Sequence, residues 1–112
     1  MEQNPIEIRY EQEKAQFIYT NGALQGIVNY ELKENNVIDV YRTFVDPGLR
    51  GMGIAQALTM KVIEYAKEHN YKIWPSCSFT VSFFKRNRDY HYLLAEDVNL
   101  DNPGSCRLPS KT

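Results

Sequence analysis

The chain has 112 residues, of which 43% are hydrophobic and 24% charged, and this composition is typical of one soluble globular domain. The 13 basic and 14 acidic residues leave a formal net charge of −1, so no basic excess indicates a nucleic-acid partner. No apolar run is long enough to cross a membrane, and residues 1–5 are polar, so we expect a cytoplasmic protein. Cys77 and Cys106 lack metal-ligand spacing, so we predict neither a metal site nor a disulfide.

Alternating polar and apolar residues predict four antiparallel strands in the first half of the chain. They cover residues 6–11, 15–20, 23–32 and 37–45, with a hairpin turn at Asn21-Gly22. We therefore expect this half to be an antiparallel meander.

The second half alternates helix and strand. Apolar residues spaced by three and four predict a helix from Ile54 to His69, followed by a strand at 73–77 and a second helix at 80–87. A strand–helix–strand crossover makes the fifth strand parallel to the fourth, so the predicted class is a mixed α/β fold. Residues 1–96 are predicted to form the domain, and residues 97–112 a loosely ordered tail.

The stretch that links the fourth strand to the first helix, residues 45–56, carries the strongest functional signal. Gly51 and Gly53 are predicted at the first helical positions, where glycine lowers helix propensity without improving packing. No Ser, Thr, Asp or Asn stands at positions 49–51 to cap the helix, whose first N–H groups therefore lack an acceptor. With the charge of Arg50 beside them, these groups predict an anion site, although a plain strand-to-helix turn could use the same glycines.

Two familiar phosphate loops do not fit this pattern. Gln56 stands where the dinucleotide fingerprint needs its last glycine, and no Gly-Lys-Ser/Thr follows. The stretch instead resembles the acetyl-CoA signature of the GNAT acetyltransferases, Arg/Gln-x-x-Gly-x-Gly/Ala. Arg50, Gly53 and Ala55 meet that signature, and Gly51 is the extra glycine that many members carry.

The resemblance implies a fold, a cofactor and an activity. The order of elements is similar to the GNAT core over residues 6–94, and Pro75-x-Cys77-x-Phe79 resembles a segment of a short bacterial subgroup. The resemblance implies a GNAT-like fold that binds acetyl-CoA or coenzyme A. It also implies an N-acetyltransferase that transfers the acetyl group of a CoA thioester to an amine acceptor, whose identity the sequence leaves open.

The resemblance also assigns residues to the cofactor. Phe44 and Val45 would hold the pantetheine arm, which in the family runs between the fourth and fifth strands. The pyrophosphate would be held by the loop and the helix start, namely Arg50, Gly51, Met52, Gly53, Ile54, Ala55 and Gln56. Phe83 and Arg86 would lie beside the adenosine and its 3′-phosphate, although core packing explains Phe83 equally well.

Two departures from the family concern the acceptor. The interval from Tyr10 to Ala15 leaves no room for the two helices that usually shape the acceptor pocket, and little sequence remains for two further strands. We therefore expect an acceptor site that is open, or that a homodimer or a partner protein completes.

The catalytic groups are less clearly indicated than the cofactor loop. Acetyl transfer to an amine needs a base, and the leaving thiolate benefits from an acid. The resemblance places Phe84 where many members have a tyrosine that acts as the general acid, and phenylalanine has no proton to donate. Cys77, at a strand end before a helix, could instead be the nucleophile or the acid, or it could be an inert core residue. Asp39 and Tyr41, which period-two alternation places on one face with Thr43, could act as base or position a water, or could simply pair across strands.

Two alternatives to an acetyltransferase remain open in the sequence. The missing acceptor helices would suit a CoA-binding or acyl-CoA-binding module without catalysis. Cys77 would suit an acyl-CoA hydrolase, which releases free thiol without an amine.

Overall fold

The computed structural model describes residues 6–96, 98 and 100, and in these residues the predicted meander is present. Four consecutive strands pair antiparallel: β1 (Arg9–Glu11), β2 (Gln16–Asn21), β3 (Leu24–Lys33) and β4 (Val37–Val45). A fifth strand, β5 (Lys72–Pro75), pairs parallel to β4, so the sheet order of the described strands is β1-β2-β3-β4-β5. The predicted mixed α/β fold is confirmed.

The first helix has the bounds that its periodicity predicted. Helix α1 (Ile54–His69) buries an apolar stripe, and Asn70 ends it in the left-handed conformation with φ 60°. Helix α2 (Ser78–Arg86) begins two residues earlier than predicted, and a 3-10 helix over Arg88–Leu93 follows it.

Helix α1 lies directly on β3. A Cβ added to Gly26 would stand 2.9 Å from Ile54 Cγ2 and 3.3 Å from Leu58 Cδ1, closer than side chains normally pack. We call the side of the sheet that α1 covers the helix face and the opposite side the far face. Gly26 pairs with Val45, so both residues belong to the helix face.

A β-bulge interrupts the pairing of β3 and β4. Asn29 pairs with Arg42, and the next residue, Tyr30, pairs with Val40, which leaves Tyr41 without a partner across the strands. An inserted residue of this kind reverses the faces of the residues that follow it.

The bulge overturns one prediction about β4. Asp39 pairs with Glu31, whereas Thr43 pairs with Val28, and these two β3 residues are an odd number of positions apart. Thr43 therefore lies on the helix face and Asp39 on the far face. The prediction that Asp39, Tyr41 and Thr43 share one face is wrong, because period-two alternation does not continue through a bulge.

The connections confirm that the acceptor helices of the family are missing. Only a 3-10 turn, Gln12–Lys14, separates β1 from β2. After α2, the described residues add one isolated bridge between Leu94 and Ile73, and Leu100 packs against the core. The predicted domain end at residue 96 stays a prediction, because most of the 97–112 tail, with Cys106, lies outside the described residues.

Candidate active site

A gap opens where β4 and β5 separate. Their ladder ends at the pair Val40–Pro75, and the N–H groups of Ser76 and Cys77 then both donate to Val40 O, at 3.0 and 3.1 Å. The chain turns into α2 at this point, whereas β4 continues to Val45 without a partner from β5. The separating elements leave room for a ligand on the helix face.

The part of β4 beyond this gap lines a groove of about 410 Å³, a volume in the range of small-molecule sites. β4, the loop after it, the start of α1 and one side of α2 contribute the lining. The residues are Thr43, Val45, Leu49, Arg50, Gly51, Gly53, Ile54, Ala55, Gln56, Phe79 and Arg86.

Short contacts fix the loop between β4 and α1. Asp46 accepts a hydrogen bond from the N–H of Gln25 at 2.7 Å, and the fully buried Leu49 anchors the loop in the core. Gly51 and Gly53 then adopt φ values of 83° and 78°, which only glycine takes readily. They precede the helix instead of occupying its first turn, so the predicted position of Gly53 is corrected to that of the N-cap.

The start of α1 is uncapped and open. The first bond of the helix runs from Ala57 N–H to Gly53 O at 3.0 Å, so the N–H groups of Ile54, Ala55 and Gln56 have no acceptor inside the helix. No side chain among the described residues caps α1, and a Cβ added at Gly53 would meet nothing there within 4 Å. Unpaired donors and the positive end of the helix dipole beside open space suit an anion.

Two arginines add positive charge to the groove. Arg50 lies at the loop, and Arg86 lies at the end of α2 on the other side. Within residues 6–96, 98 and 100, neither guanidinium takes part in an ion pair. A ligand with two separated phosphate groups therefore fits the charge of the groove.

Cys77 does not line the groove itself, but its Sγ donates a hydrogen bond at 3.3 Å to Oγ1 of the lining residue Thr43. Burial raises the pKa of the Cys77 thiol, but the Thr43 hydroxyl and the N–H groups of Thr80 and Phe79 lower it by more. The net pKa lies below the ordinary value, as expected for a thiol at a helix start.

On the far face, a carboxylate lies one residue before the gap. Asp39 is the register partner of Trp74 across β4 and β5. Asp39 Oδ1 and the indole Nε1 of Trp74, which is 4% exposed, are both buried without a hydrogen-bond partner within the described part of the chain. Tyr41, on the bulge, is 49% exposed. This side of the gap therefore offers an acceptor and a donor that the protein itself does not use.

Some predicted cofactor residues do not line the groove. Phe44 lies on the far face, where Arg42 stacks over its ring at 5.7 Å. Met52 is 49% exposed and is not part of the lining. Phe83 is 1% exposed and packs against the ring of Tyr90, which favours the core-packing alternative. Of the predicted set, the groove brings together Val45, Arg50, Gly51, Gly53, Ile54, Ala55, Gln56 and Arg86.

Three lining residues were not predicted. Thr43 shares the helix face with Val45 and precedes it by two positions, which alternation along β4 could have indicated. Leu49 and Phe79 are apolar walls, and their positions depend on the loop and on the early start of α2. Phe84, at the expected position of the family acid, is fully buried and has no hydroxyl to donate.

A family model described as GCN5-related N-acetyl-transferase matches residues 9–93. This chain belongs to that family. The match includes every strand and both α-helices of the described residues and all residues that line the groove, so the activity that family and fold support is acetyl transfer. The membership of a short subgroup with the Pro75-x-Cys77-x-Phe79 segment stays a prediction.

Individual proteins are similar to this chain over different parts of its length. A GCN5-like protein from Staphylococcus aureus, solved by NMR, superposes with a TM-score of 0.66 at 29% identity, covering 80% of this chain and 88% of that one. Protein NATD1 of Gallus gallus is 26% identical over 80% of this chain and 83% of its own length. Human N-acetylaspartate synthetase is 44% identical over 46% of this chain, which spans only 17% of that protein. Among the described residues, neither α-helix combines the length and the hydropathy that a membrane-spanning segment requires.

Proposed function

We propose that this protein transfers an acetyl group from acetyl-CoA to an amine, with the groove at the start of α1 as the cofactor site. The observation that carries the proposal is the uncapped start of α1, where two left-handed glycines leave three unpaired N–H groups facing open space. A diphosphate is the part of CoA that such a site would hold.

The lining residues divide among the parts of the cofactor. Arg50, the two glycines of the loop and the first N–H groups of α1 would bind the diphosphate, and Arg86 would bind the 3′-phosphate. Val45 and Thr43 line the side along which the pantetheine arm would lie, toward Cys77. When bound, acetyl-CoA supplies the activated thioester carbonyl.

Direct transfer requires the acceptor amine to be neutral when it attacks. Asp39 Oδ1 is buried without a donor, one residue before the gap, so it can accept a proton from the amine directly or through a water. The exposed hydroxyl of Tyr41 lies on the same stretch of β4 and can position that water. The amine would approach from the far face, opposite the cofactor groove.

Cys77 offers a second route to the same product. Its lowered thiol pKa makes it able to accept the acetyl group before the amine attacks, or to protonate the departing CoA thiolate. Direct transfer remains the proposed mechanism because it needs only one chemical step.

The acceptor half is the less complete part of the site. Between β1 and β2 the described residues form only a 3-10 turn, so the two helices that usually shape the acceptor pocket are missing there. A homodimer or a partner protein would complete the acceptor site. We propose that the protein acts in the cytoplasm.

The test combines the full chain with acetyl-CoA and a panel of amines, namely small amines, a lysine peptide and a free N-terminus. Free CoA and acetylated product are measured separately. Asp39→Asn is expected to lower turnover by about a hundredfold, as for the loss of a general base. Glu31→Gln is the matched control, because it removes the carboxylate that pairs with Asp39 across the strands, on the same face.

Each other outcome would contradict the proposal in a recognisable way. Release of CoA without an amine would indicate a hydrolase, and CoA binding without turnover on any amine would indicate a binding module. An acetylated Cys77 that forms without amine, with a loss of at least about tenfold in Cys77→Ala, would replace direct transfer by an acetyl-enzyme.

A further inference from the structure

The surroundings of Cys77 contain a polar group that acetyl transfer does not use. Thr80 is 2% exposed, and its hydroxyl has no hydrogen-bond partner in the described part of the chain. A buried hydroxyl left unpaired is costly, so its position calls for an acceptor that the neutral thiol does not provide.

The place of Thr80 in α2 directs its hydroxyl toward that sulfur. Cys77 is the N-cap of α2 and Thr80 is its third helical residue, the position from which a side chain reaches back to the cap. The Thr80 hydroxyl is among the groups that favour the ionised sulfur, together with the Thr43 hydroxyl and the N–H groups of Phe79 and Thr80. A thiolate at Cys77 would therefore satisfy donors that otherwise remain unpaired.

The ligand that reaches this sulfur is selected by the rest of the groove. Thr43 both contacts Cys77 Sγ and lines the groove, so the sulfur lies 3.3 Å from a hydroxyl of the same groove that contains the anion site. We infer that Cys77, Thr43 and Thr80 form a thiolate site that exchanges with a disulfide carrying a diphosphate group, namely CoA disulfide. This inference rests on the proposed cofactor groove.

The exchange is balanced without a further oxidant, because the disulfide itself is reduced. The Cys77 thiolate attacks one sulfur of CoA disulfide, and a Cys77–CoA disulfide forms as the original sulfur–sulfur bond breaks. The second CoA leaves as a thiolate and takes a proton from water. An external thiolate attacks the CoA sulfur of this disulfide, forms a new disulfide with CoA and releases the Cys77 thiolate. The groove would therefore be closed to acetyl-CoA under oxidising conditions and reopened by reduction.

The test incubates the full chain with CoA disulfide or with glutathione disulfide, and follows adducts by intact-mass spectrometry and peptide mapping. Glutathione disulfide undergoes the same chemistry but has no diphosphate. We expect one adduct, on Cys77, that dithiothreitol removes, and a rate at least about tenfold higher with CoA disulfide, because charge-assisted contacts hold it. Cys77→Ala leaves Cys106 as the only thiol and should give no rapid adduct.

Thr80 is tested by an isosteric pair of variants. Thr80→Val is expected to slow adduct formation about threefold at pH 7, because loss of a hydrogen bond to the thiolate lowers the thiolate fraction by more than it raises the nucleophilicity of the remaining thiolate. Thr80→Ser keeps the hydroxyl and should retain the wild-type rate. Equal rates in Thr80→Val and wild type would remove Thr80 from the site.

Two further outcomes separate this inference from the proposed function. Equal rates with the two disulfides, or no adduct on Cys77 although CoA still stabilises the chain, would overturn the inference and leave the cofactor groove intact. Failure of both CoA and CoA disulfide to bind would overturn the groove as well.

Discussion

The two ends of α1 treat their polar groups in opposite ways. At the N-terminal end, Gly53 offers no side-chain cap. The residues of the first turn line the groove, and the N–H groups of Ile54, Ala55 and Gln56 have no acceptor inside the helix. At the last end, the N–H of Asn70 reaches the carbonyl groups of Ala66 and Lys67, and Tyr71 donates to Ala66 O at 2.9 Å. One end is left unsatisfied, and the other is closed by its own backbone.

Side chains complete the closed end. Tyr10, Tyr30 and Tyr65 bring their hydroxyls together, at 2.5 Å between Tyr10 and Tyr30 and at 3.3 Å from each of these to Tyr65. Burial and then these hydrogen bonds raise the pKa of Tyr30 well above its ordinary value. We call these three residues the tyrosine cluster.

The two ends of α1 differ in whether their hydrogen-bonding groups have partners, and this difference indicates which end binds a ligand. The tyrosine cluster is also polar and aromatic, but its groups satisfy one another, so it stabilises the fold and has no need of a ligand. The groove has donors without acceptors beside space that no side chain fills. Unsatisfied groups beside open space distinguish the candidate site better than polarity does.

The largest expected effect comes from the middle of this arrangement, where α1 lies on β3. Gly26→Val would place its branched side chain against Ile54 and Leu58, both of which are fully buried. We expect a loss of about 3 kcal/mol in the free energy of unfolding, from overpacking that cannot relax. Urea unfolding measures this loss. A free energy of unfolding within about 0.5 kcal/mol of wild type would contradict the close packing of α1 on Gly26 of β3.

A smaller effect is expected at the closed end. Tyr30→Phe removes one of the three hydroxyls of the tyrosine cluster and should lower the free energy of unfolding by about 1 kcal/mol at neutral pH, the net contribution of a hydrogen bond. CoA affinity should not change, because the cluster and the groove lie at opposite ends of α1. A lower affinity in this variant would show that the two ends are coupled.

Alkaline pH is expected to lower the stability of the fold through the tyrosine cluster at the closed end. The pKa of Tyr30 is raised in the folded state, whereas in the unfolded chain tyrosine ionises near pH 10. Above that pH the unfolded chain binds fewer protons than the folded one, so stability falls as pH rises, by up to about 1.4 kcal/mol per pH unit for this group. Tyr30→Phe should show a shallower decline between pH 10 and 11, and parallel curves would contradict the assignment.

The smallest expected effect is a shift in the pH dependence of alkylation of the Cys77 thiol. Because its pKa is lowered, its alkylation by iodoacetamide should reach half its maximal rate at a lower pH than in the urea-unfolded chain. Bound CoA should slow the reaction. Half-maximal rates at the same pH in the folded and the unfolded chain would show that the fold does not lower the pKa of the Cys77 thiol.

Much of the open end could be predicted from the sequence, because its signals are local. The alternation along β4 and the three-and-four spacing of α1 gave their bounds to the residue, and the glycine loop between them indicated an anion site. These signals extend over several turns or pairs, so a misplaced residue does not obscure them.

The remaining features depend on contacts between distant segments. The bulge at Tyr41 inserts one residue without any local signal, and so it reverses the face of Asp39 relative to Thr43. Phe83 became a core residue because Tyr90, seven positions later, folds back onto its ring. The thiolate environment of Cys77 required α2 to begin at Ser78, which brings Thr80 to the sulfur.

The central claim, that the open end of α1 binds CoA, is tested most directly by two matched glycine variants. Gly53 and Gly22 both have positive φ, 78° and 64°, and a Cβ at either would meet nothing within 4 Å, but Gly22 lies in the β2–β3 turn away from the groove. Replacing either by alanine should cost about 1–2 kcal/mol of stability through the left-handed backbone.

The measurement is the gain in unfolding free energy when CoA is added at a hundredfold excess over its wild-type Kd. We predict a gain of about 2.7 kcal/mol in the wild type and in Gly22→Ala, and little or none in Gly53→Ala. An equal gain in both variants, or no gain in the wild type, would contradict the assignment of the groove.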